Sequence, residues 1–129
     1  MALYLETSAA VKLVLVEAES SALRRLWISH DAWTSSQLLE LELMRATRWA
    51  DPRAVGVAGD VLSAVSLVDM GRSTVDRAST LDPPELRSPD AIHLATALGL
   101  GPDLEAVVTY DARLSAAASA HGLPVLSPS

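Results

Sequence analysis

Short apolar runs alternate with longer helix-like stretches along almost the whole chain, and this alternation restricts the fold more than any other feature. Leu3-Tyr4-Leu5, Val65 to Val68, Ala106 to Thr109 and Pro124-Val125-Leu126 read as strands, with a further short one at Ala32-Trp33. Between them lie predicted helices over Ala9–Val16, Glu19–Ser29, Ser35 or Ser36 to about Ala50, Arg53–Ala64, Ser73–Leu81, Ser88 to about Gly99, and Asp111–Ala120. Boundary chemistry supports several of these. Asp51-Pro52 stops one helix, Ser88-Pro89-Asp90 starts another with Ser88 as its cap, and Gly122 terminates the last. Thr7 or Ser8 is placed to cap the first helix. Strands that alternate with helices predict an α/β fold with a mostly parallel central sheet in a three-layer α/β/α sandwich. At 129 residues, with no repeat or linker, the expectation is a single domain over residues 1–129.

Composition removes several function classes. The chain has no cysteine, which excludes disulfides, thiolate zinc sites and thiol nucleophiles. No apolar run is long enough for a membrane helix, and Met1-Ala2-Leu3-Tyr4 lacks the basic start of a signal peptide. The expectation is a soluble cytoplasmic protein. A net charge of -6 argues against nucleic acid if the acids are spread evenly, because an acidic surface repels phosphate. Where the carboxylates gather therefore decides the matter.

In open parallel sheets, ligands bind beyond the carboxyl ends of the strands. Glu6 follows the first strand directly, and Asp111 follows the strand containing Val107-Val108. If those strands are neighbours, both acids project from one edge; each is also well placed simply to cap a helix. Asp90 lies in a first helical turn, where acids are common for dipole reasons. Glu42 falls on the same helical face as Leu38, Leu39, Leu41, Ala46 and Trp49, with Glu40 opposite, near Met44, Thr47 and Arg48. An acid in an apolar stripe requires compensation, either from Arg45 three residues on or from a shared site. Four converging carboxylates repel one another unless a cation lies among them, and an oxygen-only set suits Mg²⁺ or Mn²⁺ rather than Zn²⁺. His93 is expected to be a satisfied core histidine or one that orients a neighbour, in preference to a ligand. His30 and His121 read as surface positions.

These residues carry a resemblance. Tyr4-Leu5-Glu6-Thr7-Ser8-Ala9 resembles the opening strand and "DTSA" turn of PIN-domain nucleases. Glu42-Leu43-Met44-Arg45-Ala46 is similar to the "E-x-x-R-A" helix of VapC-type toxins in that family. Asp90-Ala91-Ile92-His93-Leu94-Ala95 resembles their "D-A-x-H-L-A" helix, and Thr109-Tyr110-Asp111-Ala112-Arg113-Leu114 their "T-x-D-x-x-L" segment. The four occur in order and span nearly the whole chain. One departs from the pattern: Glu6 stands where the family has Asp, which moves the carboxylate outward by about 1.5 Å.

The resemblance implies a metal-dependent endoribonuclease toxin that cuts single-stranded regions of structured RNA, of the tRNA or rRNA class. Glu6, Glu42, Asp90 and Asp111 would hold Mg²⁺ or Mn²⁺ and form the catalytic set. Thr7, Ser8 and Thr109 would orient those carboxylates, or else serve as caps and turn residues. Lys12, Arg45, Arg87 and Arg113 would contact RNA, with Arg48 and Arg53 extending the track. A VapB-type antitoxin and a homodimer are implied as partners. The alternative is a catalytically impaired PIN-fold module that binds RNA or antitoxin, because of Glu6. A receiver domain shares the length and acidic pocket but needs a lysine late in the chain, where the only lysine is Lys12.

Overall fold

The computed structural model describes all 129 residues. Five strands form the sheet: β1 (Ala2–Leu5), β2 (Trp33–Ser36), β3 (Ser66–Val68), β4 (Leu104–Val108) and β5 (Val125–Leu126). Seven helices surround it: α1 (Thr7–Val14), α2 (Ser20–Ser29), α3 (Leu38–Ala50), α4 (Val55–Ser63), α5 (Arg72–Ser79), α6 (Ser88–Gly99) and α7 (Ala112–Ala120). The strand order is β3-β2-β1-β4-β5 and every pairing is parallel. The expected mostly parallel sheet is therefore wholly parallel. No helix is long and apolar enough to cross a membrane.

Alternation along β1 builds the two faces. Leu3 and Leu5 pack with Ala106 and Val108 against Ala9 and Leu13 of α1, Leu23 of α2, Leu39 and Leu43 of α3, and Ala58 and Val61 of α4. Tyr4 points the other way and joins Val107 and Ala97 of α6. Leu94 of α6 then packs on Leu114, Ala117 and Ala118 of α7. Strands covered on both faces carry near-continuous apolar sequence, which is why Leu3 to Leu5 and Ala106 to Val108 are all buried. From β1 the chain moves outward to β2 and β3, then returns through α5 and α6 to the opposite side of β1 as β4. The order thus reverses between β1 and β4, where a doubly wound sheet opens a crevice.

The boundaries differ from expectation for local reasons. Strand β2 runs on through Thr34, Ser35 and Ser36, which as polar residues read as a loop and cap. All three are buried, and two satisfy their hydroxyls on neighbouring strands: Thr34 Oγ1 donates to Ser66 O at 2.9 Å and Ser35 Oγ to Leu5 O at 2.6 Å. Ser36 Oγ still accepts from Leu38 N–H at 3.0 Å, so it serves both strand and helix. Helix α1 starts at Thr7, and neither Thr7 nor Ser8 caps it. At α6 the cap position belongs to Arg87 rather than Ser88. Pro52 holds a short 3₁₀ turn over Pro52–Ala54, which delays α4 until Val55. Gly122 adopts φ +82° just past α7, the left-handed stop its position suggested.

Candidate active site

Strands β1 and β4 end side by side, with Leu5 paired to Val108 and Glu6 N–H donating to Val108 O at 3.1 Å. Glu6 and the Thr109–Asp111 segment therefore leave the sheet together. Glu6 occupies the cap position of α1 in extended conformation, yet its side chain caps nothing. Its Oε1 instead accepts from Ser8 Oγ and from Thr109 Oγ1, the latter at 2.6 Å. The carboxylate only accepts, so both hydroxyls donate to it, and each also accepts a backbone N–H: Tyr110 N–H to Ser8 Oγ at 2.8 Å, and Asp111 N–H to Thr109 Oγ1 at 3.1 Å. Asp111 does cap its helix, through Oδ1 alone, which accepts from Arg113 N–H at 2.9 Å and Leu114 N–H at 3.0 Å.

Glu42 enters from the second turn of α3 and is half-buried. Its Oε1 accepts from Thr7 Oγ1 at 2.6 Å and from His93 Nε2 at 2.7 Å. His93 is 1% exposed, and its Nδ1 lies 2.7 Å from the Tyr4 hydroxyl. The Glu42 carboxylate only accepts, so Nε2 carries the imidazole proton that faces it, and Nδ1 accepts from the Tyr4 hydroxyl, which itself accepts Ser36 N–H at 3.2 Å. Burial pushes Tyr4 well above the ordinary tyrosine pKa and keeps it a donor. Burial alone would raise the Glu42 carboxyl, but the hydrogen bonds from His93 and Thr7 outweigh it and hold its pKa below the usual glutamate value. His93 thus orients a carboxylate and compensates Glu42, a part that Arg45, one of the two candidates in the sequence, does not play.

Asp90 has no hydrogen-bond partner. Burial, then the charges of Asp111 and Glu6, raise its pKa above the ordinary aspartate value, with a smaller contribution in the same direction from Glu42. All four acids line one cleft of about 600 Å³, together with Thr7, Ser8, Arg87 and Arg113. A family model described as "PIN domain" matches residues 3–120 of the chain. Ribonuclease VapC46 of Mycobacterium tuberculosis is 42% identical over 128 residues, covering 99% of this chain and 98% of the relative. Ribonuclease VapC35 of the same species is 42% identical over 131 residues, covering 98% and 96%. This chain belongs to the VapC-type ribonucleases of the PIN-domain family.

Two solved structures agree with the architecture. The crystal structure of Mycobacterium tuberculosis VapC20, titled a Sarcin-Ricin loop cleaving toxin, superimposes with a TM-score of 0.76 at 20% identity, covering 89% of this chain and 94% of that one. A toxin-antitoxin complex from Klebsiella pneumoniae gives 0.75 at 22% identity, covering 100% and 98%. At these identities the likeness speaks for the fold.

The donor set of this PIN domain fits a hard divalent cation. Glu6, Glu42 and Asp111 each have one oxygen held by protein donors and one without a protein partner, and Asp90 has both oxygens free. No sulfur is present, and both ring nitrogens of His93 are engaged within the protein. The expected tight convergence is not met as the side chains stand, since no three of them group closely enough to share one ion. Carboxylates without a cation between them repel one another, and the charges of Asp111 and Glu6 add to burial in raising Asp90.

The expected cations divide. Arg87 and Arg113 are exposed, lack ion pairs and line the cleft. Lys12 does not line it. Its ammonium pairs with Glu19 at 2.8 Å and Glu17 at 3.5 Å and sits 4.8 Å from the centre of the Tyr110 ring, which ties α1 to the loop before α2. Arg45 lies in a neighbouring hollow with Arg48, Trp49 and Pro52. Arg53 pairs with Asp51 at 3.0 Å. His30 pairs with Glu105 at 3.1 Å, and His121 bonds Asp82 O at 2.8 Å, both outside the cleft. Sequence reasoning missed Tyr4, whose signal was its position on the opposite face of β1 from Leu3 and Leu5.

Proposed function

We propose that this chain is a Mg²⁺- or Mn²⁺-dependent endoribonuclease toxin that cuts single-stranded regions of structured RNA, of the tRNA or rRNA class. The observation that carries the reading is one cleft, lined also by two unpaired arginines, in which four carboxylates offer free oxygens. Glu6, Glu42, Asp90 and Asp111 would hold the cation, which when bound supplies polarisation of the scissile phosphate and an acidified water. Ser8 and Thr109 hold Glu6 in place, and Thr7 with His93 holds Glu42, so that two carboxylates reach the substrate already oriented. Arg87 and Arg113 bind the phosphate backbone at the rim and offset the repulsion between RNA and the acidic cleft. His93 transfers no proton to substrate, since it is buried and both its nitrogens are engaged.

The same reading includes silencing by a VapB-type antitoxin and assembly as a homodimer; the toxin-antitoxin complex among the structural neighbours supports the first. A second reading, binding without cleavage, is favoured by Glu6 in the place of the family's Asp. One assay separates the two. The purified chain is incubated with a structured RNA pool and Mn²⁺ or Mg²⁺, then with EDTA, alongside Asp90→Asn. Metal-dependent cleavage that both EDTA and Asp90→Asn abolish is expected. RNA binding with no cleavage by the unaltered chain would establish the second reading, and cleavage that survives in Asp90→Asn would exclude this site.

A further inference from the structure

The chain's most exposed aromatic lies outside the carboxylate cleft. Trp49 is 92% exposed near the end of α3, whereas Trp33 is 4% exposed and packs against Trp27 with ring centroids 4.8 Å apart. Around Trp49, Arg45, Arg48 and Pro52 line a hollow of about 340 Å³. Neither arginine forms an ion pair or side-chain hydrogen bond, although the chain carries a net charge of -6 and its other α3-end arginine, Arg53, is paired with Asp51. An indole left in water beside two free guanidiniums serves no packing purpose.

Its placement on α3 connects it to the site. Glu42 and Trp49 are seven residues apart, so they differ by only about 20° around the helix and lie about 10 Å apart along it. Arg45 falls between them, about 60° to one side. Leu39, Leu43 and Thr47 take the buried side of the same helix, which leaves Glu42, Arg45 and Trp49 together on another flank. Single-stranded nucleic acid is held where a basic groove tracks phosphates and an aromatic face stacks a base. We infer that Trp49, flanked by Arg45 and Arg48, is a stacking subsite for an unpaired base of the RNA strand whose scissile phosphate lies at Glu42. This rests on the ribonuclease reading. Charge favours RNA over a second copy of the chain, because a like patch would bring four unpaired guanidiniums together across a two-fold axis.

The test uses the full chain with Asp90→Asn, which blocks cleavage, and a fluorescent single-stranded RNA oligonucleotide that the unaltered chain cuts. Adding Trp49→Ala is expected to weaken binding about 10-fold, and Trp49→Phe to restore most of it. Abasic substitutions walked along the oligonucleotide should weaken binding to the Trp49 protein at one position near the cleavage point, and should have no further effect there on the Trp49→Ala protein. Equal affinities for Trp49→Ala and its parent would overturn the subsite while leaving the nuclease reading intact. A change of oligomeric state in Trp49→Ala, measured by light scattering, would overturn it in favour of a subunit contact. An unaltered chain that neither binds nor cuts any RNA would overturn both.

Discussion

Glu42 and Asp90 face the same cleft from different elements, and the fold treats them in opposite ways. Glu42 receives two donors, Thr7 and the Tyr4-oriented His93, and its pKa lies below the ordinary value despite burial. Asp90 receives none, and burial with three neighbouring acids pushes its pKa up. One carboxylate is stabilised by the protein itself. The other stands uncompensated in the first turn of α6, as a group proposed to meet a cation would. The contrast separates what the folded chain needs from what the chemistry needs, and a site of uncompensated charge is where stability is given up for function.

The largest effect should come from the supported side. Replacing His93 with Ala leaves Glu42 and Tyr4 without their buried partner, at a cost of about 1–3 kcal/mol in unfolding free energy by urea titration. Cleavage should fall about 10–100-fold as Glu42 loses its orientation. A variant as stable and as active as the parent would show that the Tyr4–His93–Glu42 chain is incidental.

The unsupported side should respond with the opposite sign. In EDTA, Asp90→Asn is expected to melt at a higher temperature than the parent, although with Mn²⁺ or Mg²⁺ present it no longer cleaves. The raised Asp90 pKa means that the folded state holds a proton which the unfolded chain has already released. Its ionisation therefore removes stability as pH rises from the ordinary aspartate value through the raised one. Glu42 has a lowered folded pKa, so its contribution is present above the ordinary glutamate value and is lost as pH falls through the folded one. Melting curves of the metal-free protein between pH 3 and 7, roughly spanning both windows, should show the Asp90→Asn advantage growing with pH. An advantage that shrank toward neutrality would contradict the contrast.

The smallest effect concerns Glu6, where the family pattern has Asp. Ser8 and Thr109 hold one of its oxygens, so the extra methylene is already accommodated. Glu6→Asp should raise the cleavage rate a few-fold, and an unchanged rate would mean that the longer side chain already reaches a productive position.

Much of this was legible in the sequence because it is local. Glu6 and Asp111 follow strands whose apolar runs identify them as central, and adjacency of β1 and β4 brings the two acids to one edge. Asp90 and His93 sit one turn apart on a helix with clear start signals. What was not legible depends on partners distant in the chain. For Glu42 the sequence offers Arg45, three residues away, or a shared site, but His93, 51 residues away, supplies the bond. Lys12 reads as a free cation until the loop before α2 folds back to place Glu17 and Glu19 on it. The helical stripe on α3 holds in part, since Leu39 is buried. Leu41 and Trp49 share it by periodicity but are exposed, while Leu43 and Thr47 are buried, because periodicity defines a face without saying which side meets the sheet.

Four carboxylates, of which Asp90 alone has no hydrogen-bond partner, are proposed to form a divalent-metal site. Calorimetric titration of Mn²⁺ into the metal-free chain and into Asp90→Asn addresses it most directly. Saturable binding to the parent, at least about tenfold weaker in the variant, is the predicted result. No saturable binding to the parent, or equal binding to both, would contradict it.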